Sequence, residues 1–190
     1  MPGYLHEDFC SKAELYGLPR SRSSLLKVFF AEGSCAQILY RMMRYCQTHH
    51  LQILAAVIYR VNASTTHAVI GRKAEIGPGF VITHSLGVVI NSSVRAGRNL
   101  VIEHGATIGE EKFKSPVIGD NVYIGPGAKV IGGIRIGSNV KIGANAVVVS
   151  DLPDGATAVG IPAKVVRIYG EKVLDAAAGF SENSSENKLN

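Results

Sequence analysis

His84 and His104 are the residues with the clearest chemistry to offer. Each occupies the third position of a six-residue repeat, in the repeats that start at Ile82 and Ile102. Those repeats are three steps apart. If three repeats make one coil, the two imidazoles stack at one corner of neighbouring coils, about 4.8 Å apart along the stack. Thr83 and Glu103 then stack one residue earlier. The stretch SLGVV, residues 85–89, carries two extra residues and widens the turn after His84. A histidine at a widened turn is a candidate general base, because its pKa lies near working pH. Otherwise it is a hydrogen-bonded surface group. Two stacked imidazoles could instead hold zinc, but a third ligand would have to come from another subunit; no metal is expected from this chain alone.

Two other segments have functional potential. EEKFKSP, residues 110–116, is a second interruption and carries Lys112, Phe113 and Lys114. Loops leaving a rigid scaffold often carry binding function. PDGATAVGIPAKVVR, residues 153–167, is punctuated by Gly160 and Pro162 and carries Lys164 and Arg167. It reads as a cap, or as one wall of a groove for an anionic cofactor.

The scaffold holding these residues is itself legible. From Ile70 a period of six runs through Ile76, Ile82, Ile90, Ala96, Ile102, Ile108, Ile118, Ile124, Val130, Ile136, Ile142 and Val148, and Gly follows in eight of the thirteen cases. A small or apolar residue recurs four positions after each start, as in Ala74, Val94, Leu100, Ala106, Val122, Ala128, Val140 and Ala146. No single hexad can bury its own face, so the repeats must stack into a solenoid. Three per coil give a triangular prism of a little over four coils, roughly 20 Å tall. The pattern predicts a parallel β-helix, and its exposed ends require caps.

Ahead of the repeats, residues 1–22 read as an irregular lead-in and residues 23–62 as helical. Ser34 is a candidate cap for a helix from Cys35 to about Thr48, with Ile38, Leu39, Met42, Met43 and Cys46 on its buried stripe. A second helix is expected from about His50 to Tyr59 or Val61. The segmentation is therefore 1–62 helical, 63–152 β-helix, 153–180 terminal cap and 181–190 a polar tail expected to fray.

Composition narrows the classes. Of 190 residues, 46% are hydrophobic and 18% charged, which excludes wholesale disorder. Trp is absent and the net charge is +5, with no long Lys/Arg run, so nucleic acid is not an expected partner. Mild basicity suits an anionic small molecule. The cysteines Cys10, Cys35 and Cys46 have no metal-knuckle spacing and are expected as reduced, buried thiols of a cytoplasmic protein. No signal peptide or spanning segment is visible; contact of amphipathic helices with a membrane stays open.

The hexad array, with THSLGVVI at its first break, DLPDGATAVGIPAKVVR at its end and ILYRMMRYCQTHHLQILAAVIYRV before it, resembles the hexapeptide-repeat acyltransferases. It is most similar to the serine O-acetyltransferase group, including related acetyltransferases of exopolysaccharide clusters. The resemblance implies a left-handed β-helix and a homotrimer or dimer of trimers, with acetyl-CoA as co-substrate between prisms. It also implies His84 as general base for an acceptor hydroxyl. Gly125, Pro126, Lys141, Gly143 and Ala144 fall where the family contacts CoA, and Lys164 lies in the segment flanking the cofactor.

Three family features are missing. Val69 aligns with an Asp that orients the catalytic His. Thr83 aligns with a second Asp, and the second-break loop offers Lys114 and Ser115 in place of an Arg-His pair. Lys114 is the available cation for a serine carboxylate. Thr83 is a candidate acceptor contact, and Glu103, with His104 beside it, or a group from a neighbouring subunit, is a candidate orienter of His84. The acceptor is therefore L-serine or a sugar. A zinc-dependent enzyme and a non-catalytic scaffold are the rival readings.

Overall fold

The computed structural model describes residues 2–173. The end of the expected terminal segment, residues 174–180, and the whole tail 181–190 lie outside the described residues. Four helices precede the repeats: α1 (Pro2–Leu15), α2 (Arg22–Phe29), α3 (Ser34–Thr48) and α4 (Gln52–Thr66).

The lead-in expected to be irregular is therefore largely helix α1. Its core-facing stripe includes the charged pair Asp8 and Lys12, both fully buried, so it lacks the apolar period that would reveal it. Gly17, at φ +68°, ends it in the left-handed conformation common after a helix. At α3 the cap is Gly33, and Ser34 is already helical and buried, donating to the Val28 carbonyl at 2.6 Å. Met43 and Cys46 are buried as expected, but Met42 is half exposed; Gln37, Tyr40 and Arg41 take the inner face. Helix α4 continues past Val61 because Ser64, Thr65 and Thr66 donate back to carbonyls three or four residues earlier, which lets a polar run stay helical. Cys10 and Cys46 are buried free thiols, whereas Cys35 is exposed.

The remainder is a left-handed parallel β-helix of about four coils. Two- and three-residue strands stack into three sheets. The first contains Val69–Ile70, Val89–Ile90, Thr107–Gly109, Lys129–Ile131 and Val147–Val148. The second contains Glu75–Ile76, Arg95–Ala96, Val117–Ile118 and Arg135–Ile136. The third contains Val81–Ile82, Val101–Ile102, Tyr123–Ile124, Lys141–Ile142 and Ala156–Val159, closed by the antiparallel strands Lys164–Ile168 and Glu171–Lys172. The repeat positions are in register, Ile70 on Ile90 on Ile108 and Ile82 on Ile102 on Ile124. This continuous ladder forms the core, and all six of those isoleucines are at most 1% exposed.

Stacking leaves the backbone of the first coil unpaired along its lower edge. Side chains from α1 and α3 complete it. Tyr40 donates to the Ala74 carbonyl at 2.9 Å and accepts from the Ile76 amide at 3.2 Å. Arg41 donates to Ile76 at 2.7 Å and Gly77 at 2.6 Å, and Gln37 to Phe80 at 2.6 Å. Asp8 accepts from the Phe80 amide at 2.9 Å and forms a two-pronged ion pair with Arg41 at 2.7 and 2.9 Å. Lys12 donates to the Ile82 carbonyl at 2.9 Å. Among the described residues no helix is long and apolar enough to cross a membrane.

Two outcomes test this architecture. Ile102 lies in the middle of the ladder with no exposed surface. Ile102→Ala should lower the unfolding free energy by about 2–5 kcal/mol in urea titrations. Burial pushes the Tyr40 phenol up to about 12 from its ordinary 10.0. Above pH 10 the unfolded chain releases a proton that the folded chain keeps, so this group's stabilisation is lost as pH rises through 12. Urea unfolding near pH 9 and near pH 11 should therefore show a smaller decline in Tyr40→Phe than in the parent protein.

Candidate active site

His84 sits on the turn from the third sheet to the first, just after Val81–Ile82. The following coil places His104 on the same turn after Val101–Ile102. The Thr83 amide donates to the Ile102 carbonyl at 3.1 Å, which sets the register of this turn. The two imidazoles meet edge to face, with ring centroids 5.9 Å apart and planes at 72°. Both side chains are about half exposed, so they form a wet corner able to receive a ligand.

A carboxylate joins them from outside the β-helix. His84 Nδ1 lies 2.5 Å from Glu32 Oε2. Glu32 is in the connection between α2 and α3, held against the prism by two neighbours. Gly33 has φ +76°, and a Cβ there would lie 2.2 Å from the Ile82 carbonyl oxygen. Only glycine permits this approach. Lys12, fully buried, donates to the Glu32 carbonyl, to Ser34 Oγ at 3.0 Å, to Gln37 Oε1 at 3.3 Å and to the Ile82 carbonyl. Burial pulls the Lys12 ammonium down to about 8, against the opposing pull of the Glu32 charge.

Glu103, one coil above Thr83, does not reach His84 as its orienter was expected to. Its carboxylate is 4.0 Å from His104 Nδ1, and Tyr123 donates to it at 3.5 Å. Burial, and then the Glu103 charge, push the Tyr123 phenol up; the same two causes, with Glu32 added, push up Tyr16 at the end of α1. The corner is thus bounded by two carboxylates and two phenols. Thr83 also stands here, but its Oγ1 is buried and has no hydrogen-bond partner among the described residues. Val69 begins the first strand and pairs with Val89, offering the imidazole no polar group.

The same corner continues upward. Gly125 and Pro126 follow Tyr123–Ile124, and Gly143 and Ala144 follow Lys141–Ile142. The Glu103 amide donates to Ile124 at 3.0 Å, Gly125 to Ile142 at 2.9 Å and Gly143 to Ala158 at 2.9 Å. A Cβ at Gly125 would come within 2.8 Å of the Ile142 carbonyl oxygen, so close coil stacking by itself requires glycine there. Ala144, Lys141 and Lys164 are exposed, Lys164 on the strand that pairs with Val159. The expected CoA residues therefore share the edge of the prism that carries the histidines.

Lys114 lies elsewhere. The 110–116 excursion leaves the turn from the first sheet to the second, with Glu111 and Lys114 exchanging backbone hydrogen bonds of 3.0 Å. The Lys114 side chain lies over Gly133. Within one chain it stands at a different corner from His84. Among the described residues no three His, Cys, Asp or Glu side chains gather to hold a metal ion.

Glu32 escapes a reading of the repeats because it lies 52 residues from His84 in the chain. The one local signal is the Glu-Gly step before a helix, where a left-handed glycine marks a backbone pressed against something else.

Comparison with known proteins agrees with this geometry. Residues 115–150 match the bacterial transferase hexapeptide family, described as six repeats. The serine acetyltransferase of Helicobacter pylori (strain J99) is 38% identical over 152 residues, covering 78% of this chain and 89% of that protein. A serine acetyltransferase of Neisseria gonorrhoeae in complex with serine is 33% identical, with a TM-score of 0.77 over 85% of this chain and 67% of that one. A serine acetyltransferase in complex with CoA gives 0.78 at 28% identity, over 85% of this chain and 68% of that one. A coil with His84 at its first break, helices closing its lower edge and relatives matched along most of their length have one common explanation: the chain belongs to the serine acetyltransferase family of hexapeptide-repeat transferases.

Proposed function

We propose that the protein is an acetyl-CoA-dependent O-acetyltransferase that acts on the hydroxyl of L-serine, with His84 as general base. The observation that carries the reading is the half-exposed His84 imidazole, hydrogen-bonded through Nδ1, on the prism edge that also bears the glycine-lined upper coils. His84 Nε2 accepts the proton of the serine hydroxyl as that oxygen bonds to the thioester carbonyl carbon. The tetrahedral adduct then collapses by breaking the C–S bond, and the imidazolium returns the proton to the departing sulfur. Products are O-acetylserine and free CoA thiol, and no covalent bond to the protein forms. Backbone amides at the turn are suited to steady the oxyanion.

The upper edge fits CoA in its chemistry. Exposed Lys141 and Lys164 supply positive charge for phosphates. Gly125 and Gly143 let successive coils stack closely, and the small side chains of Pro126 and Ala144 beside them leave room for a long thin ligand along the edge. When bound, acetyl-CoA supplies the activated acyl group. His104 and Glu103 line the acceptor side. Thr83, with its hydroxyl enclosed, shapes that wall from within.

A homotrimer, or a dimer of trimers, completes the proposed site. Acetyl-CoA lies between adjacent prisms, and Lys114 of one copy is free to serve the corner of the next. One observation favours a second reading, acetylation of a sugar hydroxyl in surface-polysaccharide synthesis. In a single chain the His84 corner carries carboxylates, and the candidate cation for a serine carboxylate stands at another corner.

A thiol-release assay with acetyl-CoA against L-serine and a panel of sugars and nucleotide sugars separates the two. Turnover with L-serine is the expected result, and turnover confined to a sugar would displace serine. His84→Ala should lower kcat by about 10²- to 10⁴-fold; full activity in that variant would remove His84 as the base.

A further inference from the structure

We infer that Glu32 is the positioning residue for His84, and that the helical cap, through Lys12 and Gly33, thereby sets the geometry of the catalytic base. The inference rests on the reading of His84 as that base.

A general-base histidine must present one unprotonated nitrogen to its substrate, which requires the other nitrogen to carry the proton and to have a fixed acceptor. Glu32 Oε2 is that acceptor, 2.5 Å from Nδ1. The contact selects the Nδ1–H tautomer and leaves Nε2 as the proton acceptor. The same carboxylate stabilises the imidazolium formed during the reaction. Among the described residues of the chain no other nearby group takes this role: Glu103 faces His104 and Tyr123, Thr83 Oγ1 has no partner, and Val69 is apolar.

Glu32 is exposed, so its own packing does not hold it in place. Its backbone does. Lys12 bonds at once to the Glu32 carbonyl and to the Ile82 carbonyl two residues before His84. Gly33 lets the loop lie directly on that same carbonyl. The two ends of the Glu32–His84 pair are thus tied through one buried ammonium on α1.

The test combines kinetics with a direct view of the imidazole. Glu32→Ala, His84→Ala and the double variant are assayed with acetyl-CoA and L-serine. In parallel, long-range ¹H–¹⁵N correlation spectra of histidine-labelled protein report the His84 tautomer. Glu32→Ala should lower kcat by about 10- to 100-fold, a range typical of removing a supporting partner. Both KM values should stay within about 3-fold, and Glu32→Ala should cost nothing further in the His84→Ala background. The spectrum should change from Nδ1–H alone to a mixture of tautomers. An unchanged tautomer, an unchanged kcat, or a raised KM for L-serine at constant kcat would overturn the inference; the last would make Glu32 a contact of the serine ammonium. If His84→Ala itself keeps full turnover, the base assignment falls and the inference with it. If His84→Ala is inactive and Glu32→Ala is not, only the role of Glu32 falls.

Discussion

The lower edge of the first coil is the constraint on which the rest of the molecule depends. A parallel solenoid pairs every coil with the one above, and its first turn has nothing beneath it. Unpaired amides and carbonyls there must find partners or stay wet, and a wet, open edge invites pairing with another chain. Here the partners are side chains. Tyr40, Arg41, Asp8, Gln37 and Lys12 follow one another along the edge, each bonding to one or two of its peptide groups. A purely apolar cap could cover this edge but could not satisfy it. That is why α1 and α3 bury charged and amide groups where a helix packed on another helix would bury leucines.

The same requirement connects the cap to the chemistry. The edge runs on through Ile82 into the turn that carries His84, and the last donor in the series, Lys12, also holds the Glu32 backbone. An element whose first duty is to close a solenoid therefore also delivers a carboxylate to an imidazole. The Asp8–Arg41 pair is buried on both sides, and loss of either partner would leave an uncompensated charge in the cap. Stability of the cap and order at the His84 corner are thus maintained by one continuous polar network.

Much of this could be read from residues alone, because a β-helix converts spacing into position. Isoleucines six apart put Ile82 under Ile102, and the pairing of His84 with His104 follows from counting. The helical region obeys no such rule. Helix α1 hides because its inner residues at i and i+4, Asp8 and Lys12, look like a solvent face. The end of α4 hides because hydroxyls that usually mark a helix boundary are bonded back into the helix. Glu32 could be placed only once the cap had been docked on the coil, since nothing in the repeat pattern speaks of residues outside it. Lys114 obeys the same count: Ile108 stacks on Ile90 and Ile70, so the excursion after it leaves a different corner from the one that follows Ile82.

The uniform rise of the coils gives the prism the properties of a ruler. His84 belongs to the first coil and Ala144 to the fourth, so the proposed base and the fourth-coil part of the proposed cofactor edge are separated by three strand spacings, about 14 Å. That length can change only in whole steps. Removing one complete turn of the repeat would keep Ile, Val or Ala stacked on one another at the repeat positions, yet would shorten the scale by a full graduation of about 4.8 Å. A thioester carrier lying along this edge, as proposed, therefore meets its contacts at discrete heights set by the number of turns.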